Sequence, residues 1–203
     1  MNTLKLVSLF LFASFLTFSS CKTKVKGCMD ATSTNYNAKA TEDDGSCTYA
    51  AKKPGESFGG GLIFYVDGTG QHGLVAATSD QGNSRLWLNS QILATGAINT
   101  EVGKGQSNTN SIVAFQGVGN YAASICNDLV SAGFSDWFLP SRDELNLMYT
   151  NLHLKSLGGF AFARYWSSTE VNVDDAICVE FSSGVISQLN KNSAISVRAV
   201  RAF

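Results

Sequence analysis

Between Lys22 and Ala50 the chain is nearly free of large aliphatic side chains, yet Cys28 and Cys47 bracket the middle of that stretch. A segment with so little to bury cannot fold on a core of its own and needs a staple. A Cys28–Cys47 bond would close a loop of about 20 residues, worth roughly 3 kcal/mol in the chain-entropy picture. From about Ser57 the character changes, and apolar, strand-like runs continue to Phe203. A hydrophobic content of 44% with 13 Phe and 3 Trp is enough for a sizeable core there. The stretch between reads as a linker, with Pro54-Gly55 as its break. The expected organisation is a tether and stapled module at 21–50, a linker at 51–56 and one domain at 57–203.

Residues 1–20 carry Lys5, then an apolar run from Leu6 to Phe18, then Ser19-Ser20 before Cys21. A positive start, a short apolar core and small exit residues make a secretory signal. The core is 13 residues long, short of the roughly 20 a spanning helix needs. Cys21 after small residues resembles the lipobox of a bacterial lipoprotein. That resemblance implies cleavage before Cys21 and acylation of it, so the membrane is an expected partner through this one residue. Two or more acyl chains hold firmly where one binds marginally. The expected location is the bacterial cell envelope, on the outer membrane, where an oxidising compartment permits disulfides. Lys22, Lys24 and Lys26 would then lie near anionic headgroups, or serve as a solvated spacer. Losing Lys5 with the signal leaves 14 basic and 16 acidic residues, a balance that gives no reason to expect nucleic acid. The oligomeric state is left open.

The module reads Gly27-Cys28-Met29-Asp30, Asn35-Tyr36-Asn37 and Asp43-Asp44-Gly45-Ser46-Cys47. From Gly27 to Tyr49 it resembles a short Cys-bounded module of bacterial surface proteins that carries no assigned activity. Asp30, Asn35, Asn37, Asp43 and Asp44 are hard oxygen donors, and calcium takes six to eight such oxygens. The EF-hand loop pattern and its distal Glu are absent. The alternative is that these Asn and Asp side chains serve turns and caps. Calcium is the one cofactor considered. No Cys pair has zinc-ligand spacing, and His72 and His153 are isolated, which argues against structural zinc.

In the long segment, Leu62–Val66 and Gly73–Ala77 flank Asp67-Gly68-Thr69-Gly70 and predict a hairpin. Ser111 to Ala132 has helical spacing, weakened by Gly117 and Gly119, with Gly133 as its cap. Ser141-Arg142-Asp143-Glu144 is a capping box opening a second helix, with Leu145, Met148, Tyr149 and Leu152 on one face. Ser182-Ser183-Gly184 reads as a tight turn between strands. Two helices among β runs give an α+β domain.

The blocks Gly60–Asp67, Gln71–Ala77, Asp136–Tyr149, Tyr165–Glu170 and Val197–Arg201 occur in that order. Together they resemble the Lcl C-terminal domain family, over roughly Gly55 to Phe203. The resemblance implies a C-type-lectin-like fold of two helices and small antiparallel sheets, with the chain ends close together. The family's namesake is a bacterial collagen-like adhesin that binds sulfated polysaccharide. No catalytic residues belong to the motif. Some relatives pair a Cys in the final strand with one in the first helix, but here Cys126 faces Ala199 in that scheme and Cys178 lies elsewhere. Cys126 and Cys178 either pair with each other or stay as buried thiols. Trp137, Leu139, Trp166 and Phe181 read as core. Arg198 and Arg201 fall on opposite strand faces, so at least one should face solvent or pair with an acid.

Ser-His-Asp, Cys-His and HExxH motifs are absent, and Gly59-Gly60-Gly61 precedes a strand instead of opening a helix. The cysteine motif of the distantly similar formylglycine-generating enzymes is also missing. The expectation is a non-catalytic surface binding or adhesion protein, with a polysaccharide as ligand. A protein-binding or structural envelope role is the alternative. The expected site is the long polar connection from Asp80 to Asn110, with Trp87, Asn89, Gln106, Asn108 and Asn110 as its residues. An exposed Trp87 could stack on a sugar ring, and a buried Trp87 would be core. Glu-Pro-Asn and Gln-Pro-Asp sugar signatures are absent. Lys104, Arg142, Lys155, Arg164 and Lys191 could form a basic patch for sulfated glycans if the fold gathers them.

Overall fold

The computed structural model describes residues 23–203, so the signal and the lipidation site expected at Cys21 lie outside the described residues. The chain divides between Tyr49 and Ala50 into two compact units. In the first unit, β1 (Lys26–Gly27) pairs in parallel with β2 (Glu42–Asp43). Cys28 and Cys47 form the expected disulfide, with Cα atoms 4.8 Å apart. Asn35 adds a second tie: its amide donates to Ser46 O at 2.6 Å and accepts from Thr48 N at 2.8 Å. Staple and polar clamps thus replace the missing core.

The second unit contains β3 (Ser57–Phe58), β4 (Gly61–Val66), β5 (Gly73–Ala77), β6 (Gly82–Arg85), α1 (Gly105–Gln116), α2 (Ala122–Asn127) and α3 (Arg142–Asn151). A 3-10 turn at His153–Lys155 follows. The chain ends with β7 (Arg164–Glu170), β8 (Asp175–Glu180), β9 (Ile186–Asn190), β10 (Ile195–Val197) and β11 (Val200–Ala202). One sheet has the order β6-β10-β7-β8-β9 and the other β11-β5-β4-β3. All pairings in them are antiparallel except β10 with β7. The two expected hairpins are present as β4–β5 and β8–β9.

Strand side chains alternate, and the sequence uses both sides. Ile63, Val75, Ala77, Trp166, Cys178, Val197 and Ala199 enter one core with α1 and α2. Their neighbours Phe64, Leu74, Ala76, Tyr165, Val179 and Val200 enter a second core with α3. The Trp137–Leu139 run does the same, with Phe138 in the second core and its neighbours in the first. Each buried indole N–H has an acceptor: Trp87 on Ser167 O, Trp137 on Phe134 O and Trp166 on Arg85 O.

Three expectations are corrected. The helix expected over 111–132 is two helices, beginning six residues earlier. At Gly117 φ is 69°, which ends α1, and a side chain at Gly119 would collide with the Asn89 amide. Gly133 is no helix cap; with φ of 82° it serves the tight turn that pairs Ser131 with Phe134. Residues 51–56 are not a free linker. Lys52 N donates to Gly70 O, Gly55 N to Ile63 O, and Ile63 N to Glu56 O, so this stretch is hydrogen-bonded to the second unit.

Candidate functional site

Four sets of charged side chains fix the loops of the second unit, and they set what is left on its surface. Arg198 is fully buried, donating from Nε to Asp80 Oδ1 at 2.6 Å and from Nη1 to Ala77 O and Gly158 O at 2.9 Å each. Tyr165 Oη donates to Asp80 Oδ2 and accepts from Ala161 N, both at 2.9 Å. Burial first, and then Asp80, push the Tyr165 hydroxyl up to about 12. The Arg198 guanidinium also lies 4.2 Å from the centre of the Phe160 ring. Through Gly158, Phe160 and Ala161, this cluster holds the loop before β7.

Arg201 makes a two-pronged pair with Asp136, at 2.7 and 2.9 Å, and stacks on Phe134. Those hydrogen bonds hold the Asp136 carboxyl below its ordinary range. Both arginines therefore pair with acids. Buried Glu170 accepts from Thr95 N and Gly96 N, and buried Lys191 donates to Glu170, Asn172 O and Val173 O while lying over Trp87. Glu144 completes the capping box on Ser141 and also accepts from Gly103 N at 2.7 Å. Burial pushes its carboxyl above the usual range, against the pull of those amides.

The residues expected to form a site along 80–110 are not gathered into one. Trp87 is fully buried, so it cannot stack on a ligand. Asn108 is fully buried and ties Asn99 to α1. Asn89 clamps Gln116 O and Val118 O at the end of α1. Gln106 and Asn110 lie on α1 itself, one turn apart and bonded to each other. Of the five cations considered for a basic patch, Lys191 is buried against Glu170, Arg142 pairs with Asp143 and Arg164 with Glu180. In the first unit, Asp30 accepts from Thr32 and Tyr49, Asn37 from Lys39 N, Asp43 from Gly45 N and Asp44 from Ser46 N. Four of the five calcium candidates thus serve turns, and Asn35 is the cross-module clamp described above. Among the described residues no group of three or more His, Cys, Asp or Glu could hold a metal. Cys126 and Cys178 are free and buried, and burial pushes both thiols up.

The loops present two apolar features instead. Ile92, Leu93, Phe115 and Val118 are exposed on segments joined by the Asn89 clamp and by Gln116 Nε2 donating to Gln91 O. Beside the 3-10 turn, His153, Ser156, Leu157, Gly159, Phe160 and Phe162 line a hollow of about 220 Å³. Phe160 is buried, whereas Phe162 is 80% exposed. The His153 ring stacks on Tyr149 and meets Phe162 edge-on at 5.0 Å. The run Gly158-Gly159-Phe160-Ala161-Phe162 was its only sequence signal, an aromatic pair in a glycine turn. Its backbone is held by neighbouring Tyr165 and by Arg198 with Asp80, the last two far off in sequence.

No curated protein matches the chain. Among solved structures, a fimbrial protein from Bacteroides ovatus ATCC 8483 is similar at 17% identity with a TM-score of 0.42. The match covers 63% of this chain and 35% of that one, so this chain spans about a third of the neighbour's length. The profile of the Lcl C-terminal domain matches residues 76–201. That span holds Asp80, Asp136, Glu144, Tyr165, Glu170, Arg198 and Arg201, the side chains that hold the loops in place. With more than half of its length matched, the chain belongs to the Lcl C-terminal domain family.

Proposed function

We propose that this is a lipid-anchored envelope protein that binds a polysaccharide without catalysis, through loops carried on a C-type-lectin-like unit. The observation that carries the reading is the use made of the charged groups. Asp80, Asp136, Glu144, Glu170, Lys191, Arg198 and Arg201 are all spent on fixing loops, while large apolar side chains stand exposed at loop tips. Rigid scaffolds commonly carry binding on such loops. The lectin-like description is supported by the mixed architecture and by the near meeting of the unit's ends, with the Phe58 and Phe203 rings 4.9 Å apart. The purified mature chain is expected to retain at least one polysaccharide on a glycan array and to turn none over. Turnover of a substrate would overturn the non-catalytic reading, and mass spectrometry showing an unacylated mature N-terminus would overturn the anchor. A protein-binding role is the second reading, favoured by exposed Ile92, Leu93, Phe115 and Val118 on hydrogen-bonded segments, since exposed apolar surface marks interaction sites.

A further inference from the structure

We infer that the hollow beside the 3-10 turn is a subsite for one uncharged sugar ring, with Phe162 as its stacking platform. The inference rests on the polysaccharide-binding reading and adds the place and the chemical class.

Size comes first. About 220 Å³ lies below the roughly 300–1,000 Å³ of sites that enclose a drug-sized ligand. The hollow therefore takes one ring, and the rest of a chain would run out over its mouth. Chemistry comes second. A pyranose presents an apolar C–H face and a rim of hydroxyls, so its receptor needs a flat apolar surface beside unengaged polar groups. Phe162 supplies the surface, held edge-on against His153 and 80% exposed. Among the described residues, neither the ring nitrogens of His153 nor Ser156 Oγ has a protein hydrogen-bond partner, and both side chains line the same hollow. The imidazole can donate and accept, and the hydroxyl can do both. Charge comes third. No Lys, Arg, Asp or Glu lines the hollow, so nothing there favours a sulfate or a uronate over a neutral ring.

The hollow is also held rigidly. Arg198 grips Gly158 O and underlies Phe160, Tyr165 takes the Ala161 amide, and Ser156 closes the 3-10 turn in a left-handed conformation at φ of 57°. A preformed wall lowers the ordering cost of binding. A lone exposed Phe is commonplace on protein surfaces. The fixed backbone and the two unengaged polar groups beside it distinguish this one.

The test uses the full mature chain, immobilised, against α-mannan, a β-1,3-glucan, a galactan and heparin. Phe162→Ala should weaken the best neutral polysaccharide by roughly tenfold or more, the loss expected of a central aromatic anchor. Phe162→Trp should restore binding, and Val130→Ala, removing an exposed apolar side chain elsewhere, should stay within about twofold. Phe162 and Val130 are both largely exposed, so thermal melts of the Ala variants should overlay the parent's. Undiminished binding by Phe162→Ala would overturn the subsite and leave the polysaccharide reading standing. Binding of heparin alone, unaffected by Phe162→Ala, would overturn the neutral-ring assignment. Failure of the parent chain to bind any of the four would overturn both.

Discussion

Lys191 shows how strongly single side chains are committed. Its ammonium is buried against Glu170 and caps the Asn172 and Val173 carbonyls. Removing one member of a buried pair leaves the other charge uncompensated, so Lys191→Ala should cost about 3–5 kcal/mol. Urea midpoints read this directly, and an unchanged midpoint would mean that Glu170 is served by the Thr95 and Gly96 amides alone. Asp136 gives a pH-dependent counterpart. Arg201 holds its folded pKa below the ordinary 3.8, so the unfolded chain takes up the proton first as pH falls. The pair's contribution is present above 3.8 and is lost as pH drops through the lower, folded value. Asp136→Asn should therefore be less stable than the parent at neutral pH, with the two curves converging on the acid side. Denaturant titrations from neutral to strongly acid pH check the convergence. The sequence already required one of Arg198 and Arg201 to find an acid or solvent. It could not name Asp80 or Asp136, because those acids are 118 and 65 residues away.

Among the elements, those fixed by neighbours in sequence were legible and those fixed at a distance were not. The capping box before α3 has its donors and acceptors within four residues, and it is present as expected. The β4–β5 and β8–β9 hairpins likewise follow from their turns. Helix α1 begins with Gly105-Gln106-Ser107-Asn108-Thr109-Asn110, a polar run with no helical apolar spacing. Its place is set from outside: Asn108 bonds Asn99, Thr109 bonds Leu139 in both directions, and Glu144 takes the amides of Gly103 and Gly105. The connection leading to it looked like a polar binding loop, yet it contributes Trp87, Leu88 and Ala97 to a core. Excising residues 87–98 should consequently abolish the cooperative melt followed by near-UV circular dichroism. A variant that melts cooperatively at the parent temperature would show that the connection is dispensable. The aromatic hollow escaped detection for the converse reason, since its wall is held by Arg198 and Asp80 from two other parts of the chain.

For the whole molecule, the two units rest on different physics. The first has Cys28 as its one buried apolar residue among those described and depends on the staple. The second has two aromatic-rich cores and carries Cys126 and Cys178 as free thiols. A mild reductant should remove about 3 kcal/mol from the first unit, the entropy of its closed loop, and unfold it. The second unit should melt as before. Amide hydrogen exchange with and without reductant separates the two, and equal loss of protection in both units would sink the distinction. The sequence by itself determined this division, the disulfide, the hairpins, the capped helix and the family, because each is written in local composition, spacing or ordered motif blocks. Only the tertiary structure decided that Trp87 is core, that Lys191 is buried in an ion pair, that four oxygen donors serve turns while Asn35 clamps across the module, and that Phe162 lines a hollow. Those outcomes turn on which distant side chain satisfies each buried charge and amide. Alternation and periodicity assign a residue to a face, but they carry no information about the partner waiting there.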